Sequence, residues 1–224
     1  LEEASRKLET ALSMVPNEAR FHGLQADIMV YQRRYEAAVS GYDAAISRDP
    51  NYYDYYLGRG VAFARQGQRA RANEDLQASI KLLPTALAMN ELGTLSLANN
   101  DRVAAKEYFG MAAGAQGQLG EQSRAAYIRL DIADNPAQYI SAQAYINQAG
   151  RLVARVQNTS PVPVSDVTVE FRAIVGGQLV SRSVVVPQIS AGQGGELDST
   201  IGFQAGALPA AGQFSVDVRG ARVE

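Results

Sequence analysis

The chain has 224 residues, 46% of them hydrophobic and 20% charged, which is apolar enough for one or two packed domains and too apolar for a disordered chain. A formal net charge of −2 gives no electrostatic footing for nucleic acid or an anionic membrane surface. The absence of cysteine excludes disulfides, thiol catalysis and cysteine-based metal sites.

From the N-terminus, residues up to about Pro136 carry Ala, Leu, Glu and Arg at helical spacing, and all three lysines lie there. Pro16, Pro50 and Pro84 recur every 34 residues. Twelve positions before each stands a small residue, Ala4, Ala38 and Ala72. Four positions further on come Leu8, Tyr42 and Leu76, and five before the proline Ala11, Ala45 and Ser79. Small side chains at fixed offsets let two helices cross closely, and a proline ends the second helix of each pair. Residues 1–16 supply half a repeat, and full repeats follow at about 17–50, 51–84 and 85–117. The third is shifted by one residue, since Gly60 and Gly93 are 33 apart, and it lacks the closing proline. A half repeat at the start implies a chain cut from something longer, so the lack of a signal peptide is uninformative. Residues 118–131 read as a capping helix with Leu119, Ala126, Ile128 and Leu130 on one side, ended by Asp134-Asn135-Pro136.

Beyond Pro136 the period changes from 3.6 to 2. Leu152, Ala154 and Val156 alternate with Val153, Arg155 and Gln157; Val167, Val169 and Phe171 with Thr168, Glu170 and Arg172; Phe214, Val216 and Val218 with Ser215, Asp217 and Arg219. Strands are expected at 139–147, 151–158, 164–175, 178–187, 196–204 and 213–222. Six or seven short strands at this spacing predict an antiparallel β-sandwich of immunoglobulin-like type over 137–224, after an all-α solenoid over 1–136. The expected class is therefore α+β in two segments. Asn158-Thr159-Ser160 has the form of a glycosylation sequon and is read here as a turn.

The 34-residue frame resembles the tetratricopeptide (TPR) family. The fullest unit carries Tyr56, Gly60, Phe63, Gly67, Ala72, Leu76, Ser79 and Pro84 at the family's signature positions. The unit before it has Ala26 where glycine is usual and Arg33 at the turn; the unit after it has Leu92-Gly93, Ala105, Phe109 and Ala112. The second half, through Val153–Val156, Asn158-Thr159-Ser160, Val164, Val167, Val169, Gly176-Gly177 and Ala191-Gly192-Gln193, resembles small bacterial β-sandwich modules. The two in this order, with the segments 20–24, 51–57 and 82–86, resemble the C-terminal tails of bacterial periplasmic HExxH zinc metallopeptidases of the CaaX-protease-like superfamily. That resemblance implies a periplasmic location and a zinc-bearing domain missing from this chain. An adaptor or chaperone-like scaffold with no enzymatic parent is the alternative.

This chain itself has no HExxH, and its single histidine, His22, cannot supply the two histidines of a zincin site; a Ser-His-Asp triad would have to use that same histidine, and no Gly-x-Ser-x-Gly elbow accompanies it. No catalytic residue, metal ligand or cofactor is expected in it. His22 falls on an aromatic signature position and is read as packing.

Binding of a protein or peptide is the expected role. The TPR resemblance puts the first helix of each pair on the concave face, which would receive Arg20, Asp27, Val30, Tyr31, Asp54, Leu57, Val61, Arg65, Asn90, Thr94 and Leu97, an apolar floor ringed by charge. Whether that face is free or covered within the parent protein stays open. Among Tyr52, Tyr53, Tyr55 and Tyr56, helical spacing puts Tyr52 and Tyr56 on one side and Tyr53 on another; the TPR resemblance implies that Tyr56 is core and Tyr52 staples the inter-repeat turn, leaving Tyr53 or Tyr55 for a partner. The β module is either a spacer or an edge open to strand pairing.

Overall fold

The computed structural model describes residues 2–203, 209–210 and 212–223. The side chain of Ala4 and residue 204, the expected end of a strand, fall outside that set. The chain divides into two compact units, Leu1–Arg124 and Ala125–Glu224, so that the last helix begins in one and ends in the other.

In the first unit, α1 (Glu2–Met14) precedes three helical pairs: α2 (Ala19–Tyr31) with α3 (Tyr35–Arg48), α4 (Tyr53–Arg65) with α5 (Arg69–Leu82), and α6 (Ala86–Ala98) with α7 (Arg102–Ala112); α8 (Gly117–Asp131) follows. One turn geometry joins each pair. Arg33, Gly67 and Asn100 take positive φ of 60°, 76° and 60°. The next amide, of Arg34, Gln68 and Asp101, donates to the carbonyl five residues back, of Met29, Phe63 and Ser96, at 2.8–2.9 Å. These are Schellman closures, which satisfy the last helical carbonyls through a left-handed residue. Gly67 adopts that conformation without a Cβ clash, whereas Arg33 bears the cost of a side chain there.

The small residues sit where the helices of a pair cross. Ala38, Ala72 and Ala105, and Ala45, Ser79 and Ala112, are fully buried, beside Tyr42, Leu76 and Phe109. The one-residue shift of the third repeat lies between pairs: residues 49–52 connect α3 to α4, but only 83–85 connect α5 to α6. The Thr85 hydroxyl caps α6 by accepting from the Ala88 amide at 3.3 Å. Between α3, α4 and α5, Arg59 forms a two-pronged pair with Asp75 (2.7 and 2.7 Å) and reaches Asp43 at 2.5 Å. These bonds hold its guanidinium firmly protonated.

In the second unit the described strands are β1 (Ile140–Ile146), β2 (Arg151–Asn158), β3 (Val164–Val175), β4 (Gln178–Ile189), β5 (Gly194–Gly202) and β6 (Phe214–Arg222). They form two three-stranded antiparallel sheets, ordered β1-β2-β5 and β4-β3-β6. The expected immunoglobulin-like sandwich is therefore not found. That architecture needs a four-stranded sheet opposite a three-stranded one, and the described strands supply three and three. Period-2 alternation decides which face a residue takes but not which strand it pairs with, and here β5 and β6 close the two sheets by pairing back to β2 and β3.

The apolar core of this unit gathers Leu152, Ala154 and Val156 of β2 with Val167, Val169 and Phe171 of β3. At its corner, Asn158 is wholly buried. Its amide donates to the carbonyls of Val162 (2.8 Å) and Ile189 (3.2 Å), while its oxygen accepts from the amide and hydroxyl of Ser160 (3.0 and 2.8 Å). The sequon is a structural corner. On the solvent side of β4-β3-β6, Glu170 accepts from Arg172 (2.7 Å), Arg219 (2.6 Å) and Ser181 (2.9 Å), which lowers its carboxyl pKa to about 2.

Candidate functional site

Residues Arg20, Gly23, Leu24 and Asp27 stand at i, i+3, i+4 and i+7 of α2, a single stripe of that helix. The stripe forms one wall of a cavity of about 170 Å³. Tyr42 of α3 lies on another side, and Tyr52, Asp54 and Tyr55, at the start of α4, complete it.

Two glycines permit this close approach. A Cβ on Gly23 would lie 2.5 Å from the Tyr55 ring, and one on Gly58 would lie 2.3 Å from Cζ of Tyr42. With that space open, the Tyr42 hydroxyl reaches across to donate to Asp27 Oδ1 at 2.6 Å. Tyr55 packs against Gly23, buried, and among the described residues its hydroxyl has no hydrogen-bond partner. The Tyr52 ring stands edge-on to Tyr55, centroids 4.7 Å apart, and remains 41% exposed.

The electrostatics of the cavity are unbalanced. Loss of water around the Asp27 carboxylate raises its pKa, partly offset by the Tyr42 hydrogen bond. The Asp54 carboxyl is raised by the same loss of water and then by the Asp27 charge. The Tyr42 phenol is pushed far up by burial, by its bond to Asp27 and by both carboxylates. Among the described residues, neither aspartate has a cationic partner within ion-pair distance. Arg20 acts at the other end, where its charge is felt by Tyr52 and Tyr55.

Of the residues expected on the first-helix face, Arg20, Asp27 and Asp54 meet in this cavity. Tyr31, Thr94 and Leu97 are exposed on α2 and α6, while Val30, Val61 and Asn90 are half-buried. Arg65 lies 3.6 Å from Glu91, and Asn90 donates to the Ser123 hydroxyl at 2.8 Å, so both have partners. Leu57 is buried with Phe63, Leu76 and Leu92 and is core rather than floor. The tyrosines exchange roles: Tyr55 is core and Tyr52 is the accessible ring. Gly23, Leu24 and Tyr42 were not foreseen at the site, although the i, i+3, i+4, i+7 spacing of the α2 stripe carries the signal. His22 donates from Nε2 to the Pro16 carbonyl at 2.9 Å, tying α2 to the turn before it.

No larger groove among the described residues brings two carboxylates together without a lining cation. The one between α1 and α2, about 580 Å³, mixes Glu2, Glu9, Arg6 and Arg34. Among the described residues no group of three His, Cys, Asp or Glu side chains could hold a metal ion, and no helix is long and apolar enough to cross a membrane.

No family model matches the chain, and no curated protein matches it. Solved structures do. YrrB, described as a TPR protein with an unusual peptide-binding site, is 16% identical with a TM-score of 0.52, over 58% of this chain and 68% of its own. PilF of Pseudomonas aeruginosa is 23% identical, also at 0.52, over 57% of this chain and 59% of its own. A double mutant of MamA from RS-1 is 20% identical at a TM-score of 0.46, over 50% of this chain and 63% of its own. The chain thus spans less than two thirds of the PilF and MamA chains. Taken with the repeated Schellman turns and buried crossing alanines, the YrrB and PilF likenesses show that the helical part has the fold of tetratricopeptide-repeat proteins.

Proposed function

We propose that the chain is a protein-interaction module that holds a peptide or protein segment along the first helices of its pairs, α2, α4 and α6. The observation that carries this reading is the cavity between α2 and α4, whose carboxylates Asp27 and Asp54 are open to solvent yet have no charge partner among the described residues. Leu24 in its wall, Tyr31 further along α2 and Leu97 near the end of α6 are exposed. Apolar anchors around a polar pocket suit an extended or helical ligand. Selection of random peptides displayed on phage with the full chain as bait tests the reading. Enriched peptides that lose binding to a Leu97→Glu variant are expected; no enrichment contradicts it.

The resemblance to zinc-metallopeptidase tails adds a finer reading, in which this module presents substrates or assembly partners to a periplasmic zinc peptidase domain. That reading rests on the segments 20–24, 51–57 and 82–86 alone. Determining the full reading frame tests it: an HExxH helix encoded upstream supports it, and its absence leaves a scaffold or adaptor.

A further inference from the structure

We infer that the cavity bounded by Asp27, Asp54, Tyr52 and Tyr55 receives a single basic side chain, lysine or arginine, from the bound protein segment. This rests on the reading of the helical part as a peptide- or protein-binding module and names what that module selects.

Size sets the class of occupant. Pockets for whole small molecules run to roughly 300–1,000 Å³, whereas this one encloses about 170 Å³, room for one side chain. Charge sets its sign. Two carboxylates line the cavity, the charge of one disfavours ionisation of the other, and no cation among the described residues pairs with either. An incoming ammonium or guanidinium would relieve both at once, and would gain charge-assisted hydrogen bonds at a wall partly shielded from water.

The aromatic side agrees. Tyr52 offers an accessible ring on which a guanidinium or the methylene stem of lysine can lie. Tyr55 contributes to the cavity wall, while its hydroxyl is sealed from solvent and, among the described residues, has no hydrogen-bond partner, so the accessible ring of Tyr52 is what this side offers a ligand. Each aspartate also has a local rationale: Asp54 lies in the first turn of α4, where the helix dipole favours an anion, and Asp27 accepts from Tyr42. Neither rationale explains why two carboxylates face one cavity in which Arg20, two helical turns from Asp27 on the α2 stripe, is the one cation among the described lining residues.

The test is a titration of the full ¹⁵N-labelled chain, at low ionic strength, with the N-acetyl methylamides of arginine and lysine, and with that of norleucine as neutral control. Saturable amide shifts confined to residues 20–27 and 52–55 are expected with the basic compounds and not with norleucine. Asp54→Asn, at an exposed position, and Asp27→Asn, which keeps an acceptor for Tyr42, should each weaken the response about tenfold while preserving the dispersed spectrum. Shifts that are absent, matched by norleucine or unchanged in both variants overturn the inference. The phage selection separates the two levels. Peptides that bind but carry no lysine or arginine sink this inference and leave the binding module standing, whereas no binders at all sink the module itself.

Discussion

The Tyr42 hydroxyl donates to the Asp27 carboxylate across fifteen residues of sequence, at 2.6 Å, and so links the second helix of a pair to the cavity-lining stripe of the first. Tyr42→Phe removes the donor while keeping the ring. The loss of a hydrogen bond to a charged, partly shielded acceptor should cost about 1–2 kcal/mol in urea unfolding followed at 222 nm. Because that bond is what holds the Asp27 pKa down, its carboxyl should titrate still higher in the variant, as read by ¹³C NMR. An unmoved Asp27 pKa would show that the bond is not formed in solution.

Gly58 protects the same link from the α4 side. A Cβ there would occupy the space of the Tyr42 ring, at 2.3 Å from Cζ. Gly58→Ala should therefore destabilise the helical unit by about 1–3 kcal/mol, the usual cost of overpacking, even though alanine is the better helix former. A stabilised variant would mean that Tyr42 does not cross at this point.

Arg33 holds the left-handed position that Gly67 holds one repeat later. Arg33→Gly should raise stability by about 1 kcal/mol, since relief of the Cβ clash outweighs the added chain entropy of glycine. Gly67→Arg should do the opposite by a similar amount. Thermal melts of the two variants, moving in opposite directions, check the turn geometry in one comparison.

Acid should separate the two units. Asp27 and Asp54 have folded-state pKa values raised above 3.8, so the folded chain binds protons before the unfolded one. Their penalty is felt at neutral pH and fades as pH falls through the raised values toward 3.8; the helical unit should gain stability there. Glu170 runs the other way. Lowered from 4.5 to about 2, it contributes stability above pH 4.5 that is lost as pH falls toward 2. Near-neutral to acidic melts should show the helical signal strengthening first and the β signal failing later. Loss of Asp27 and Asp54 together (Asn at both) should abolish the first trend alone.

Asn158 tests the β unit. Replacing it with alanine removes its bonds to the carbonyls of Val162 and Ile189 and to the Ser160 amide and hydroxyl in a buried corner, where the Ser160 hydroxyl and the Val162 carbonyl still pair at 2.9 Å. A loss of about 2–4 kcal/mol is expected from several unsatisfied groups acting together. A loss under about 1 kcal/mol would mean that water replaces the amide.

Much of this structure is written in spacing. The 34-residue period places the buried alanines at 38 and 72, and the turns at 33 and 67 repeat with it, because a repeat must bury the same crossing in every copy. The strand limits of β2 and β3 are equally visible, whereas β4 runs through Pro187 to Ile189 and β5 begins at Gly194, two residues before the expected start. What spacing hides is partnership. The pairing of β5 with β2 and of β6 with β3 depends on contacts distant in sequence. The tyrosine run shows the same limit on a smaller scale. Which of Tyr52 and Tyr55 enters the core depends on where the first turn of α4 begins and on the space above Gly23, which belongs to another helix. Leu57 has the position of a face residue but meets Leu76 and Leu92 from neighbouring helices, and so becomes core.

The central claim is that ligands lie along the first helices of the pairs. Photo-crosslinking resolves it directly, with p-benzoylphenylalanine placed at Tyr31 of α2, which is 76% exposed, or at Val103 of α7, a second helix, which is 81% exposed. Peptides selected against the full chain should crosslink from position 31 and not from position 103. Crosslinking from position 103 alone would place the ligand on the opposite set of helices and contradict the account.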